Sequence, residues 1–115
     1  MSRRPRLPNL TPLQFLVLGT LVGAGDDERR GRDLRAELSK HGVRRSAPAF
    51  YQMMARLEDA GWVEGSYTQQ IVDGQIIKER GYCITATGHK AWTATRDFYF
   101  DTASRAARAA GIAHA

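Results

Sequence analysis

Two side chains that suit hydrogen bonding to nucleobases, Gln52 and Arg56, stand four residues apart. On an α-helix this spacing brings both side chains to one face, one turn apart. A glutamine amide can bond an adenine edge through two hydrogen bonds, and an arginine can bond a guanine edge or a phosphate. The pair therefore indicates a helix that reads bases in the major groove. A helix face that is simply solvated would carry the same residue types.

The residues around this pair suit contact with a nucleic-acid backbone. Two arginines precede a candidate N-cap, Ser46, so their guanidinium groups and the free amides of the helix start would hold phosphates together. Two alanines in the first turn would allow a close approach to the bases. Tyr51 is either a partly buried aromatic or a hydroxyl donor to phosphate. We therefore predict DNA contacts from Arg44, Arg45, Ser46, Ala47, Ala49 and Tyr51, together with Gln52 and Arg56.

Candidate nucleophiles and metal ligands are few and scattered. Cys83, His41, His89 and His114 fall in different predicted elements, and neither a Cys-x-x-Cys nor a His-Glu-x-x-His spacing occurs. A lone cysteine in a strand is usually a small buried hydrophobe. We therefore expect no enzyme activity, no metal site and no cofactor. One cysteine also suits a reducing, cytoplasmic location, and no export or membrane-insertion signal is expected.

A helix-turn-helix is predicted to position the reading pair. The second helix of this motif is predicted over residues 46–60, with Pro48 in its first turn and Gly61 as its stop. The first is predicted over residues 33–41, and Gly42 ends it. The inward face of the second helix is expected to consist of Phe50, Met53, Met54 and Leu57.

The elements before this motif are predicted from caps and composition. Thr11, Pro12 and Gln14 together indicate the start of a first helix. Its body, residues 13–21, is apolar almost all round and is expected to be buried on more than one side. The acidic, glycine-containing segment 23–31 is predicted to be a solvated loop.

The elements after the motif are a hairpin and a long helix. Residues 62–72 and 75–85 predict two strands, because the Asp73-Gly74 pair between them favours a type I′ turn. Lys78 and Arg80 on this hairpin are predicted to reach phosphates, although its tip, residues 71–77, is apolar. Thr85 is the expected N-cap of a last helix over residues 86–110.

This order of elements predicts a mainly α (α+β) winged helix-turn-helix: three helices, a two-stranded β-hairpin wing and a long C-terminal helix. The DNA-binding domain is predicted over residues 10–85, after a basic arm over residues 1–9. A dimerisation helix over residues 86–110 and a flexible tail over residues 111–115 would follow.

The last helix, about 38 Å long at 1.5 Å per residue, is longer than so small a domain needs. Its apolar stripe and the second apolar side of the first helix would both be covered if two copies paired about a two-fold axis. We expect such a homodimer to use Leu13, Leu16, Val17, Trp92, Thr95, Phe98, Tyr99, Thr102, Ala103 and Ala106. The aromatic residues Trp92, Phe98 and Tyr99 either pack simply at that interface or line a cavity for a small aromatic effector.

Three blocks of the sequence resemble the PadR family of bacterial regulators. Residues 10–18 are similar to that family's opening helix, residues 46–63 to its recognition helix, and residues 82–88 to its Tyr-x-Leu-Thr-x-x-Gly junction. The resemblance covers residues 10–92 and implies a dimer that binds an inverted-repeat operator, usually as a repressor. The chain departs from the family at residues 31–34, where Gly-Arg-Asp-Leu replaces Gly-Tyr-Glu-Ile, and at the apolar wing tip.

The charge of the whole chain agrees with a polyanionic partner. Lysine and arginine outnumber aspartate and glutamate by 17 to 12 among 115 residues, which gives a net charge of +5. The main alternative is a winged-helix adaptor that binds another protein through the apolar hairpin 62–84. An RNA-binding function is less favoured, because the hairpin lacks a row of aromatics for base stacking.

Overall fold

Four helices and a small sheet make up the structure, a computed structural model that describes residues 7–111. In chain order the elements are α1 (Pro12–Ala24), β1 (Arg29–Arg30), α2 (Gly31–Lys40), α3 (Ala47–Asp59), β2 (Val63–Val72), β3 (Gln75–Ile84) and α4 (Ala86–Ala109). The strands form one antiparallel sheet in the order β1-β3-β2. The predicted winged helix-turn-helix with a long last helix is confirmed.

Side-chain caps begin three of the helices at the predicted residues. The Thr11 hydroxyl accepts a hydrogen bond from the Gln14 amide at 3.1 Å, and the Gln14 side chain accepts one from the Thr11 amide at 3.0 Å. The Ser46 hydroxyl accepts from the amide of Ala49 at 3.3 Å, and the Thr85 hydroxyl accepts from that of Gly88 at 3.0 Å. These bonds satisfy amides that have no partner within their own helix, and so they fix where each helix starts.

One hydrophobic core joins the first three helices to the base of the sheet. The inward face of α3 is buried as predicted, except that Met53 lies half-buried at the edge of the core. The core residues are Leu10, Val17, Leu18, Leu21, Leu34, Leu38, Phe50, Met54, Leu57, Val63 and Tyr82. Because α3 contributes only one side to this core, its other side remains at the surface.

The segment 23–31 is not the simple loop that its composition predicts. Arg29 and Arg30 form β1 and pair with Tyr82 and Gly81 of β3, so the sheet has three strands instead of two. The free edge of β3 offers unpaired backbone groups, and this long-range pairing overrides the local loop signal. The strand leads directly into α2, which therefore begins at Gly31, two residues earlier than predicted.

Two parts of the molecule project from the core. The β2–β3 ribbon has an exposed outer half, and α4 is exposed over most of its second half. The radius of gyration is 17.3 Å, whereas a compact chain of this length has about 13 Å. The structure therefore carries more surface than one small globule requires.

Candidate nucleic-acid interface

The outward side of α3 presents the two predicted base-reading residues. Gln52 and Arg56 are both exposed, while Phe50, Met54 and Leu57 on the opposite side are buried. The two exposed side chains border a groove of about 580 Å³ between α3 and the beginning of α1, with Leu13 and Leu16 among its other lining residues. Their donors and acceptors are reachable from outside the protein, as reading a duplex requires.

A cluster of four arginines lies beside this helix. Arg32 and Arg35 come from α2, and Arg44 and Arg45 come from the turn before α3. Together with Ala36 and Ser39 they line a concavity of about 410 Å³. The Arg35 Nε donates a hydrogen bond to the backbone carbonyl of Arg45 at 2.8 Å, so the two segments are held together. Such a concentration of guanidinium groups suits a phosphate backbone.

The sequence predicts half of this arginine cluster. Arg44 and Arg45 were predicted from their position before an N-cap, but Arg32 and Arg35 were missed. A helical projection of α2 contains the signal, because Arg32, Arg35, Ala36 and Ser39 fall on the side opposite the buried leucines.

A second concavity, of about 640 Å³, lies between α3 and the sheet and has Tyr51, Tyr67 and Lys78 among its lining residues. The Tyr51 ring packs edge-on against Phe50, with 5.3 Å between ring centroids, and it remains 37% exposed. A Cβ at Gly31 would lie 2.7 Å from a ring carbon of Tyr51, which explains a glycine at the start of α2. Tyr51 is therefore a partly buried aromatic, and its contact with phosphate stays a prediction.

Arg80 has a structural role that the sequence did not reveal. Its guanidinium forms an ion pair with Glu58 of α3, and it lies over the Tyr67 ring at 4.7 Å from the centroid. Burial opposes the charge of Arg80, but the Glu58 carboxylate outweighs burial, and the pKa of Arg80 is raised. An arginine held in this way joins the ribbon to α3, and its contact with phosphate stays a prediction. Lys78, two residues further along β3, is exposed.

The residues predicted for dimerisation divide into two groups. Val17 and Thr95 are only 1% and 2% exposed within one chain, so they are unavailable to a partner and that part of the prediction is wrong. Both lie on helix faces that pack against other elements of the same chain. Leu16, Phe98 and Tyr99 are exposed large hydrophobics, and Thr102, Ala103 and Ala106 are exposed beside them. Leu13 and Trp92 are half-buried.

The aromatic residues of α4 pack in part against α1. Trp92 stacks on Phe15 with ring centroids 5.8 Å apart, and Tyr99 meets the same ring edge-on at 5.3 Å. Trp92 therefore already has an aromatic partner in its own chain. The effector cavity at Trp92, Phe98 and Tyr99 stays a prediction.

The possible nucleophile and metal ligands lie apart from this interface. Burial, followed by the carboxylates of Glu28, Glu64, Asp26 and Asp27, raises the pKa of the Cys83 thiol, which disfavours the thiolate. His41 contacts Glu37 on α2, His89 contacts Thr93 on α4, and His114 lies outside the described residues. Residues 7–111 contain no cluster of three or more His, Cys, Asp and Glu side chains that would hold a metal ion. Within the same range, no helix combines the length and apolar character that a membrane span requires.

Comparison with known proteins identifies the fold. No protein-family model matches the sequence, and no curated protein matches it either. The structure is similar to that of a transcriptional regulator from Clostridium thermocellum, with 16% identity and a TM-score of 0.65, covering 84% of this chain and 87% of that one. It is also similar to a PadR-family transcriptional regulator from Eggerthella lenta, with 19% identity and a TM-score of 0.59, covering 81% of this chain and 79% of that one.

The Glu58–Arg80 pair gives a test of the structural role assigned to Arg80. We expect Arg80→Ala to lower the free energy of unfolding in urea by about 2–3 kcal/mol, because it leaves the Glu58 carboxylate partly buried and unpaired. Lys78→Ala, the matched control on the same strand, should change it by less than about 0.5 kcal/mol. Glu58→Ala and the double variant complete a cycle that should show at least about 1 kcal/mol of coupling. Purely additive effects would contradict the assignment.

Proposed function

We propose that this chain, which has the fold of PadR-like transcriptional regulators, is a sequence-specific double-stranded DNA-binding regulator that acts as a homodimer. The observation that carries the proposal is the two-sided character of α3, which buries Phe50, Met54 and Leu57 and exposes Gln52 and Arg56. The arginine cluster stands beside that exposed side. Both structural relatives described above are transcriptional regulators.

In the proposed complex, α3 lies in the major groove with its first half toward the bases. Gln52 and Arg56 supply the base contacts, and Ser46, Ala47 and Ala49 keep the helix backbone close to the bases. Arg35, Arg44 and Arg45 hold the phosphates, which fixes position without reading sequence. Arg32 pairs with the Glu79 carboxylate at 3.3 Å and is left out of these contacts. Lys78 adds a phosphate contact from the ribbon. Two copies related by a two-fold axis would read an inverted repeat with half-site centres about 34 Å or more apart. Binding over a promoter would repress transcription by excluding polymerase.

An adaptor that binds proteins through the ribbon is the second candidate function. The exposed Ile71 and Ile76 near the ribbon end favour it. The dependence of binding affinity on salt concentration separates the two functions. A DNA complex with roughly six to ten phosphate contacts from its two copies loses about a thousandfold to a hundred-thousandfold in affinity between 50 and 200 mM salt, whereas apolar docking responds little.

Base reading by α3 is tested by selecting bound fragments from a genomic library and then measuring variants on the selected site. The wild type should enrich an inverted repeat. Gln52→Ala and Arg56→Ala should each lower discrimination at one base pair of every half-site by about 1–3 kcal/mol, because each removes a base-edge contact. Arg105→Ala on α4 is the matched arginine control and should leave the preference unchanged. If both α3 variants kept the full wild-type preference, the assigned role of α3 would be wrong.

The arginine cluster is tested through the dependence of affinity on salt. The Arg35→Gln/Arg44→Gln variant should reduce the slope of log affinity against log salt by about 4, because two phosphate contacts are lost in each of the two protomers. Its sequence preference should stay that of the wild type. Arg108→Gln, an exposed arginine of α4, controls for loss of charge alone. An unchanged slope in the double variant would remove the cluster from the interface.

Self-association is tested by sedimentation over a range of protein concentrations. The wild type should sediment as a dimer, and Tyr99→Asp should sediment as a monomer, because a buried carboxylate without a partner disfavours the paired state. The monomer should bind a single half-site and lose the gain in affinity from the repeat. Ser104→Asp places the same charge on another side of α4 and should remain dimeric. A monomeric wild type would contradict the proposed dimer.

A further inference from the structure

The exposed side of α3 ends in a carboxylate that has no cation partner. Asp59 is the last residue of the helix, and its side chain is exposed. It follows Gln52 by seven residues, about two turns, so both side chains lie on the same side of α3. Within residues 7–111, Asp59 forms no salt bridge, whereas the preceding acid, Glu58, pairs with Arg80.

The position of Asp59 opposes the stability of its own helix. The aligned peptide dipoles leave a partial negative charge at a helix C-terminus, where a cation is favourable and an anion is unfavourable. The core does not require an acid at this place either, because the side chain points away from the buried side of α3. Departures from local stability of this kind concentrate at functional sites, which favours a role for Asp59 in recognition.

Charge changes sign along the exposed side of α3. Arg44 and Arg45 precede the helix, the uncharged Gln52 lies near its middle, and Asp59 ends it. The helix dipole adds to this difference, because its positive end lies beside the two arginines and its negative end at the carboxylate. A polyanion therefore attracts the start of α3 and repels its end.

Asp59 also lies next to Arg56, one of the two base-reading residues of the proposed complex. Residues three apart on a helix are neighbours on its surface. The Asp59 carboxylate therefore offsets part of the charge that Arg56 offers to backbone phosphates. Paired hydrogen bonds from Arg56 to a guanine edge depend on matched geometry as well as on charge, so they are weakened less.

We propose that Asp59 disfavours non-specific DNA complexes and thereby raises the sequence selectivity of α3. This inference rests on the proposed DNA-binding function. The helix has 13 residues and is about 20 Å long, whereas the major groove is about 12 Å wide. A helix that inserts its start at the bases keeps Asp59 at the mouth of the groove. A helix that lies flat against the backbone, as it can on unrelated DNA, brings the carboxylate close to phosphates and is repelled.

The experiment compares the affinity of the full-length protein for two duplexes, one with the site selected from the genomic library and one of unrelated sequence. Asp59→Asn keeps the size of the side chain and removes its charge. Its affinity for the unrelated duplex should rise by about threefold to tenfold at 50 mM salt, because two repelling charges leave the dimer. Its affinity for the selected site should rise by less than about twofold, so selectivity should fall. Both rises should be smaller at 150 mM salt, at which the Debye length is about 8 Å.

Two further variants control this comparison. Glu64→Gln removes the same charge from an exposed residue on the side of the sheet that faces away from α3. It should leave both affinities within about twofold of the wild-type values. Asp59→Lys reverses the charge and should raise the affinity for the unrelated duplex further. Neither substitution of Asp59 should lower the urea midpoint of unfolding, because an anion at the helix C-terminus does not stabilise α3.

The outcomes separate this inference from the function on which it rests. If the wild type selects no DNA, the proposed function fails, and this inference fails with it. If the wild type selects a site but Asp59→Asn binds the unrelated duplex no better than Glu64→Gln does, only this inference is overturned. It is also overturned if Asp59→Asn loses its preference at one base pair of the site, because the carboxylate would then read a cytosine. A fall in the urea midpoint would overturn it as well, because Asp59 would then have a structural contact.

Discussion

The structure depends on α3 being packed from one side only. Phe50, Met54 and Leu57 are fully buried against α1, α2 and the base of the sheet, and this apolar contact fixes the rotation of the helix about its own axis. Each buried side chain of this size contributes roughly 1.5–3 kcal/mol. A rotation of α3 by a third of a turn would expose part of this apolar surface and bury Gln52 or Arg56 without partners. The burial energy therefore holds the exposed residues in position.

The orientation of the ribbon relative to α3 depends on a close contact near the ion pair. The Glu58 carboxylate lies against the backbone of Gly65, where a Cβ would overlap one of its oxygens. The glycine leaves room for the Glu58 carboxylate against β2 while Arg80 bonds to the same carboxylate. Tyr82 lies beneath this contact, and burial, as the main cause, raises its pKa to about 12. The buried tyrosine and the paired arginine thus hold the base of the ribbon against α3, and this contact sets the direction in which the outer half of the ribbon projects.

Local signals in the sequence were enough for the main elements but not for contacts between distant segments. The caps at Thr11, Ser46 and Thr85 and the Asp73-Gly74 turn act over a few residues, so they predict the helix starts and the hairpin correctly. The strand β1 depends on an edge of β3 more than fifty residues away, and no local pattern encodes it.

The side-chain roles show the same division between local and distant contacts. Arg80 resembled a free cation because its partner Glu58 lies 22 residues earlier in the sequence. Val17 was placed at a dimer surface because an all-apolar helix does not show which of its sides meets its own core. Gln52 and Arg56 were placed correctly on an exposed face, because the 3.6-residue period separates them from the buried side of the same helix.

The two sides of the sheet also differ in charge, which bears on how the molecule meets a polyanion. Glu64 lies opposite Cys83 in the ladder, and their side chains point away from the side that faces α3. Carboxylates from residues 26–28 surround Cys83 there, and together with Glu64 they help to raise the pKa of its thiol.

The arginine cluster instead lies between α2 and the start of α3. A polyanion is repelled from the acidic side and attracted to the arginine cluster within roughly a Debye length, about 8–10 Å at physiological salt. In the proposed complex, this field would orient the protein before any base is contacted, with α3 toward the duplex. On the proposed function, the acidic segment that precedes α2 would contribute to recognition by repelling the duplex from its own side of the sheet.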